Sequence, residues 1–105
     1  MYDICIDDLF FEWDPDKDKL NTKKHGICFE IAKRVFLDED RLELFDDKHS
    51  SAGDERYITI GMLKDISRHI VLVYTVRGDN IRIISARSAD SDEEVFYNGY
   101  DKNKN

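Results

Sequence analysis

No stretch of this sequence stays apolar for the roughly 20 residues that span a bilayer. Its start, Met1 to Asp8, is acidic and lacks the basic region and apolar core of a secretory signal. The expectation is a cytoplasmic protein with no membrane contact. Cysteine occurs twice, at Cys5 and Cys28, without the CxxC spacing or neighbouring histidine pair of a zinc or redox centre. Both are expected to be reduced, with no metal and no cofactor. A P-loop, a GxGxxG turn, an HExxH helix and a GxSxG elbow are all missing, which removes the common motif-borne enzymes. Repeats and low-complexity tracts are absent, and 105 residues are enough for one core but not two. Positive charge is also scarce, since the formal net charge is −7. That counts against phosphate binding by bulk charge. The distribution softens this: residues 21–36 hold four basic residues against one acidic, and residues 56–87 hold six against two.

What the chain does carry is a set of well-marked elements. A short aromatic strand is expected over residues 9–13. Asp14 is a good N-cap, Pro15 suits the first helical position, and Asp16 and Asp18 favour the positive end of a helix dipole. Lys23, Lys24 and Gly26 close the same helix at about His25. Leu20 is its main expected inward residue. A second helix is expected over residues 29–37, although Cys28 is a poor N-cap and Ile31 stands where a capping-box acid would help. From Arg41 the period changes to two, and a polar connection over residues 46–54 follows. Strands over residues 56–61, 69–77 and 80–87 are joined by short turns, which imply antiparallel neighbours. Asp90 or Ser91 caps a short last helix that Asn98-Gly99 should stop. The order β-α-α-β-β-β-β-α describes an α+β domain: a mainly antiparallel sheet with two N-terminal helices and a short C-terminal helix. The domain is placed at residues 11–97, with an N-terminal extension over 1–10 and a polar tail over 98–105.

The strand over residues 80–87 organises the functional reading because it carries arginines. Regular alternation puts Arg82 on one face and Arg87 on the other. An arginine keeps its charge, so each needs solvent, a carboxylate or an anionic ligand. One is expected to pair with Glu12 or Glu93, and Arg87 is expected to face a groove. Arg56 and Arg77 lie on neighbouring strands, and antiparallel pairing can gather them with these two. His25, His49 and Tyr97 offer groups for proton transfer. Together such side chains can orient a phosphodiester and stabilise charge in an attack on phosphorus. Taken singly, His25 reads as a helix-end cap, His49 as a solvated loop residue and the arginines as partners of carboxylates.

A resemblance adds to this. Phe11-Glu12-Trp13-Asp14-Pro15, then Asn21, Lys24-His25-Gly26, Phe29-Glu30, Ala32 and Val35-Phe36 resemble the N-terminal half of the BrnT toxin family. The second half agrees at His49-Ser50, Glu55-Arg56-Tyr57, Ile60-Gly61, Thr75, Arg77, the run from Arg82 to Arg87, Glu93 and Tyr97. The resemblance implies a RelE-like fold and a type II toxin that cleaves RNA without a metal ion and inhibits translation. It also implies a BrnA-like ribbon-helix-helix antitoxin as a hetero-oligomeric partner, with DNA met only through that antitoxin. The implied chemistry is attack of the RNA 2′-hydroxyl on the adjacent phosphate. Arg56, Arg77, Arg82 and Arg87 are the candidates to hold the phosphate, and His25, His49 or Tyr97 to move the proton. The chain departs from the family pattern at Cys28, commonly Ser, at Ile31, commonly acidic, and at Ser88, commonly Lys. A different class is implied if those departures remove activity: a weak or inactive homologue that binds its antitoxin as a co-repressor.

Overall fold

The computed structural model describes residues 10–102, with side chains described as far as Gly99. Most of the expected N-terminal extension, with Cys5, lies outside the described residues. In chain order the elements are β1 (Phe10–Glu12), α1 (Pro15–His25), α2 (Phe29–Ala32) continued by a 3-10 turn over Lys33–Leu37, β2 (Leu42–Phe45), β3 (Arg56–Leu63), β4 (Arg68–Arg77), β5 (Asn80–Ser88) and α3 (Ser91–Lys102). The architecture is α+β. One mixed sheet runs β1-β5-β4-β3-β2, antiparallel except where β1 joins β5 in parallel. Among the described residues no helix is long and apolar enough to cross a membrane.

The N-terminal helix forms where its caps predict. Asp14 accepts a hydrogen bond from the Asp16 N–H at 2.9 Å, and Gly26 takes the left-handed conformation at φ 72° while its N–H donates to the Thr22 carbonyl. Its inward residue is not the expected one. Leu20 is 67% exposed, and Asn21 is buried instead. The amide of Asn21 donates to the carbonyls of Ile27 and Ala86 at 3.0 and 2.8 Å and accepts from the Ala86 N–H at 3.1 Å. A polar residue that satisfies three backbone groups at once fixes the rotation of a helix that has too little apolar surface to do so.

The second helix is shorter than expected and tightens to 3-10 geometry after Ala32. Cys28 makes no side-chain cap, but Asp18 of α1 accepts from the Phe29 N–H at 2.9 Å, so the neighbouring helix supplies part of the missing cap. The 3-10 turn crosses β3 at Gly61. A Cβ there would lie 3.1 Å from the Val35 Cβ and 3.3 Å from the Val35 carbonyl oxygen, so a side chain at this position would push the turn back by a few tenths of an ångström. At the other end α3 continues through Asn98-Gly99 to Lys102, past its expected stop. A helical glycine costs only about 1 kcal/mol relative to alanine and does not by itself end a helix.

The main core lies between the sheet and the first two helices. It holds Phe29, Ala32, Val35, Phe36, Leu63, Ile70, Leu72, Ile83 and Ala86, flanked by Phe11 and Trp13. A smaller cluster of Leu42, Ile60, Val71 and Tyr97 lies on the other face, where α3 packs. Asp38 ties these layers together: it is 2% exposed and accepts from the Met62 N–H at 2.8 Å, the Tyr97 hydroxyl at 2.6 Å and the Asp40 N–H at 3.0 Å.

One irregularity changes the functional map. Opposite β4, Tyr74 pairs with Ile83 but Val73 pairs with Ser85, so Ile84 is an extra residue in β5. Such a bulge reverses the alternation beyond it. Arg82 stands opposite Thr75 and Arg87 opposite Val71, and those two β4 residues are separated by an even number of positions. Arg82 and Arg87 therefore share one face, contrary to the opposite-face expectation. Both stand on the face away from α1 and α2.

Candidate active site

That face carries a groove of about 340 Å³. Its floor is apolar, from Ile58, Val71, Val73 and Ile84, and its rim holds Asp46, His49, Arg56, Ser85, Arg87 and Glu93. Four elements deliver the polar groups, and α3 is one of them through Glu93. Strand β5 brings Arg87 over the floor because of the bulge. Strand β3 begins with Arg56, opposite Thr75 of β4. The polar loop between β2 and β3 brings His49, and Ser50 holds that loop closed.

The loop closure is a side-chain staple. The Ser50 hydroxyl donates to the Asp46 carbonyl at 2.6 Å and accepts from the Arg56 N–H at 2.7 Å, while the Asp46 N–H donates to the Arg56 carbonyl at 2.8 Å. With its ends so joined, the loop places His49 beside Asp46. The imidazole Nδ1 lies 2.9 Å from Asp46 Oδ2, and the His49 N–H donates to the other Asp46 oxygen at 3.2 Å. In the neutral imidazole a carboxylate acceptor favours the tautomer with the proton on Nδ1 and the lone pair on Nε2. This is the geometry of a base oriented by a carboxylate.

Arg56 is incompletely used by the protein. Its Nη2 reaches Asp54 only at 3.4 Å, and its Nε is buried without a hydrogen-bond partner among the described residues. A buried N–H without an acceptor costs about 1–3 kcal/mol, so Arg56 gains from any rearrangement that brings an acceptor to its Nε. Arg87 is held by a carboxylate: Nη1 and Nη2 donate to the two oxygens of Glu93 at 2.7 and 2.8 Å. The hydrogen bonds from Arg87 hold the Glu93 carboxyl below the ordinary glutamate range, and the same pairing raises Arg87. Glu93 also caps α3. It accepts from the Asp90 N–H at 2.9 Å while Asp90 accepts from the Glu93 N–H at 2.8 Å, a reciprocal capping box.

Of the residues marked in the sequence, the groove brings together His49, Arg56 and Arg87. Arg82 stands on the same face but donates to Glu12 at 2.8 Å, next to the Asn80 amide, which donates to the same carboxylate at 3.0 Å. The Asn80 amide first, then Arg82, holds Glu12 below the ordinary range, and exposed Arg77 adds to the effect from the end of β4. His25 ends α1 on the opposite face, where its carbonyl accepts from Arg68 at 3.2 Å. Tyr97 is 7% exposed beneath α3, with its hydroxyl on Asp38. Sequence reasoning did not mark Asp46 or Glu93 as site residues. The spacing Asp46-x-x-His49 in a loop was the available signal for the first, and the capping-box spacing Asp90 to Glu93 for the second.

The groove gathers two arginines and a carboxylate-held histidine on a small α+β domain, and sequence comparison gives the class to which the chain belongs. It is that of the ribonuclease toxins of type II toxin–antitoxin systems. Within that class the chain belongs to the BrnT family, whose match runs over residues 13–93. Curated relatives include glucose-6-phosphate isomerases of Brucella suis, Brucella ovis and Brucella canis, each 29% identical over 72 residues. That segment is 69% of this chain, and the chain spans only 13% of the length of each isomerase.

Proposed function

We propose that the groove is the active site of a metal-independent, RelE-like endoribonuclease that inhibits translation by cutting RNA. His49, oriented by Asp46, takes the proton of the RNA 2′-hydroxyl. The 2′-oxygen then attacks the adjacent phosphorus, a new P–O2′ bond forms and the P–O5′ bond breaks. The 5′-oxygen leaves with a proton from solvent, and a 2′,3′-cyclic phosphate remains. Arg56 and Arg87 neutralise the charge that builds on the phosphoryl oxygens. Such chemistry needs a base and fixed positive charge but no Lewis acid. Arg77 and Arg82 extend the positive face along the bound strand. A BrnA-like ribbon-helix-helix antitoxin silences the toxin and carries the DNA contacts of the pair.

The observation that carries this reading is the convergence of the Asp46–His49 pair with Arg56, whose buried Nε lacks an acceptor. The test is RNA cleavage in the presence of a chelator, with growth arrest on induction, for the wild type, His49→Ala and Arg56→Ala. Both variants should fold and lose at least about 100-fold in cleavage, the usual worth of general base and charge stabilisation. Full cleavage by both, or cleavage abolished by chelator, would refute it. One observation favours the second reading, an inactive co-repressor: Arg87 is already neutralised by Glu93. A wild-type chain that binds its antitoxin but cleaves nothing would decide for it.

A further inference from the structure

The Arg87–Glu93 pair occupies the position where an anion is wanted, and its geometry is that of a bound ligand. Two parallel N–H···O bonds at 2.7 and 2.8 Å join a guanidinium to both oxygens of one carboxylate on the groove rim. A phosphodiester presents two non-bridging oxygens to the same fork. The carboxylate has a second partner that does not depend on Arg87: if Arg87 turned away, Glu93 would keep the Asp90 N–H at 2.9 Å and α3 would keep its capping box. Arg87 is 42% exposed at its side chain, so the exchange can take place in solvent without unfolding.

We propose that Glu93 is a built-in competitor for the anion site at Arg87, and that RNA binds by replacing this carboxylate with one of its phosphates. Glu93 thus acts on the ligand through Arg87 and sets a threshold that only a polyanion with several simultaneous contacts passes. A lone anion has to win against an intramolecular carboxylate, whereas a strand held also at Arg56 does not depend on that one contact. This explains how a chain of net charge −7 can keep its groove selective. The inference rests on the proposed use of the groove for RNA, and its test separates the two.

The probe is a fluorescent single-stranded DNA oligonucleotide, which lacks the 2′-hydroxyl and cannot be cut by the proposed route. Its binding is measured by anisotropy at several salt concentrations. Glu93→Gln should bind about two- to fivefold tighter than the wild type, the range expected for release of one partly exposed ion pair. Glu94→Gln makes the same change of charge one residue away, beside His69 at 3.6 Å, and should gain less. Glu93→Asp keeps the charge but shortens the reach and still suits the first turn of a helix, so it too should bind more tightly. In the Arg87→Ala background the gain from Glu93→Gln should vanish. If Arg87→Ala binds as well as the wild type, the groove reading fails and this inference with it. If Arg87→Ala binds more weakly but neither Glu93 variant exceeds Glu94→Gln, the groove reading stands and the competitor is refuted.

Discussion

Tyr97→Phe separates a structural from a chemical role for the one tyrosine that the sequence marked as a site residue. Its hydroxyl donates to Asp38 Oδ2 at 2.6 Å, and its ring meets His69 edge-on at 5.0 Å between centroids. Phenylalanine keeps that packing and removes the hydrogen bond to Asp38. Asp38 still has the Met62 and Asp40 N–H groups at 2.8 and 3.0 Å. The loss is then one hydrogen bond to a charged acceptor, about 1.5–3 kcal/mol. At about 4–8 °C per kcal/mol for a domain of this size, the melting temperature should fall by at least about 6 °C. Asp38→Ala strands three donors at once and should cost about 3–5 kcal/mol, a large share of the 5–15 kcal/mol that holds a typical domain. In the double variant the two effects should not add, because the tyrosine has already lost its acceptor. Urea denaturation with comparison of slopes measures the stabilities, and growth arrest at a temperature where the variant is folded measures the function. A Tyr97→Phe protein as stable as the wild type but without toxicity would refute the structural role and restore the phenol to the chemistry.

Asn21→Ala should cost about 2–4 kcal/mol by urea denaturation, because it leaves buried backbone groups of Ile27 and Ala86 without partners; a loss under about 1 kcal/mol would contradict that assignment. Cys28→Ser should stabilise the chain by about 0.5–2 kcal/mol, the usual worth of an N-cap, since Asp18 serves only the Phe29 N–H and leaves the Glu30 and Ile31 N–H groups that a serine hydroxyl would reach. Asp18→Ala should cost more than Cys28→Ser gains, as the same denaturation curves will show. Glu12 and Glu93 both have folded-state pKa values below the ordinary glutamate range. Their contributions are therefore fully present above that range and are lost as the pH falls through the lower folded values. Melting temperature scanned from pH 7 down to about 3 should fall through this window, and Glu93→Gln should flatten part of the fall.

Much of the fold was legible because its signals are local. The ends of α1 follow from Asp14, Pro15 and Gly26, which act on backbone groups within a few residues of themselves. The strands follow from period-two patterning and short turns, and the family from residues met in order along the chain. Other features depend on partners far away in sequence, and no local pattern encodes them. Asn21 rather than Leu20 faces inward because Ala86, 65 positions on, offers two backbone groups to its amide. Asp18 helps to cap a helix that is not its own. The candidate site is the sharpest case. His49, Arg56 and Arg87 were visible as residue types, but Ser50 closing the loop is what sets His49 on the rim. The single extra residue at Ile84 puts Arg82 and Arg87 on one face, because alternation is a rule of regular strands and a bulge is a choice made between paired strands.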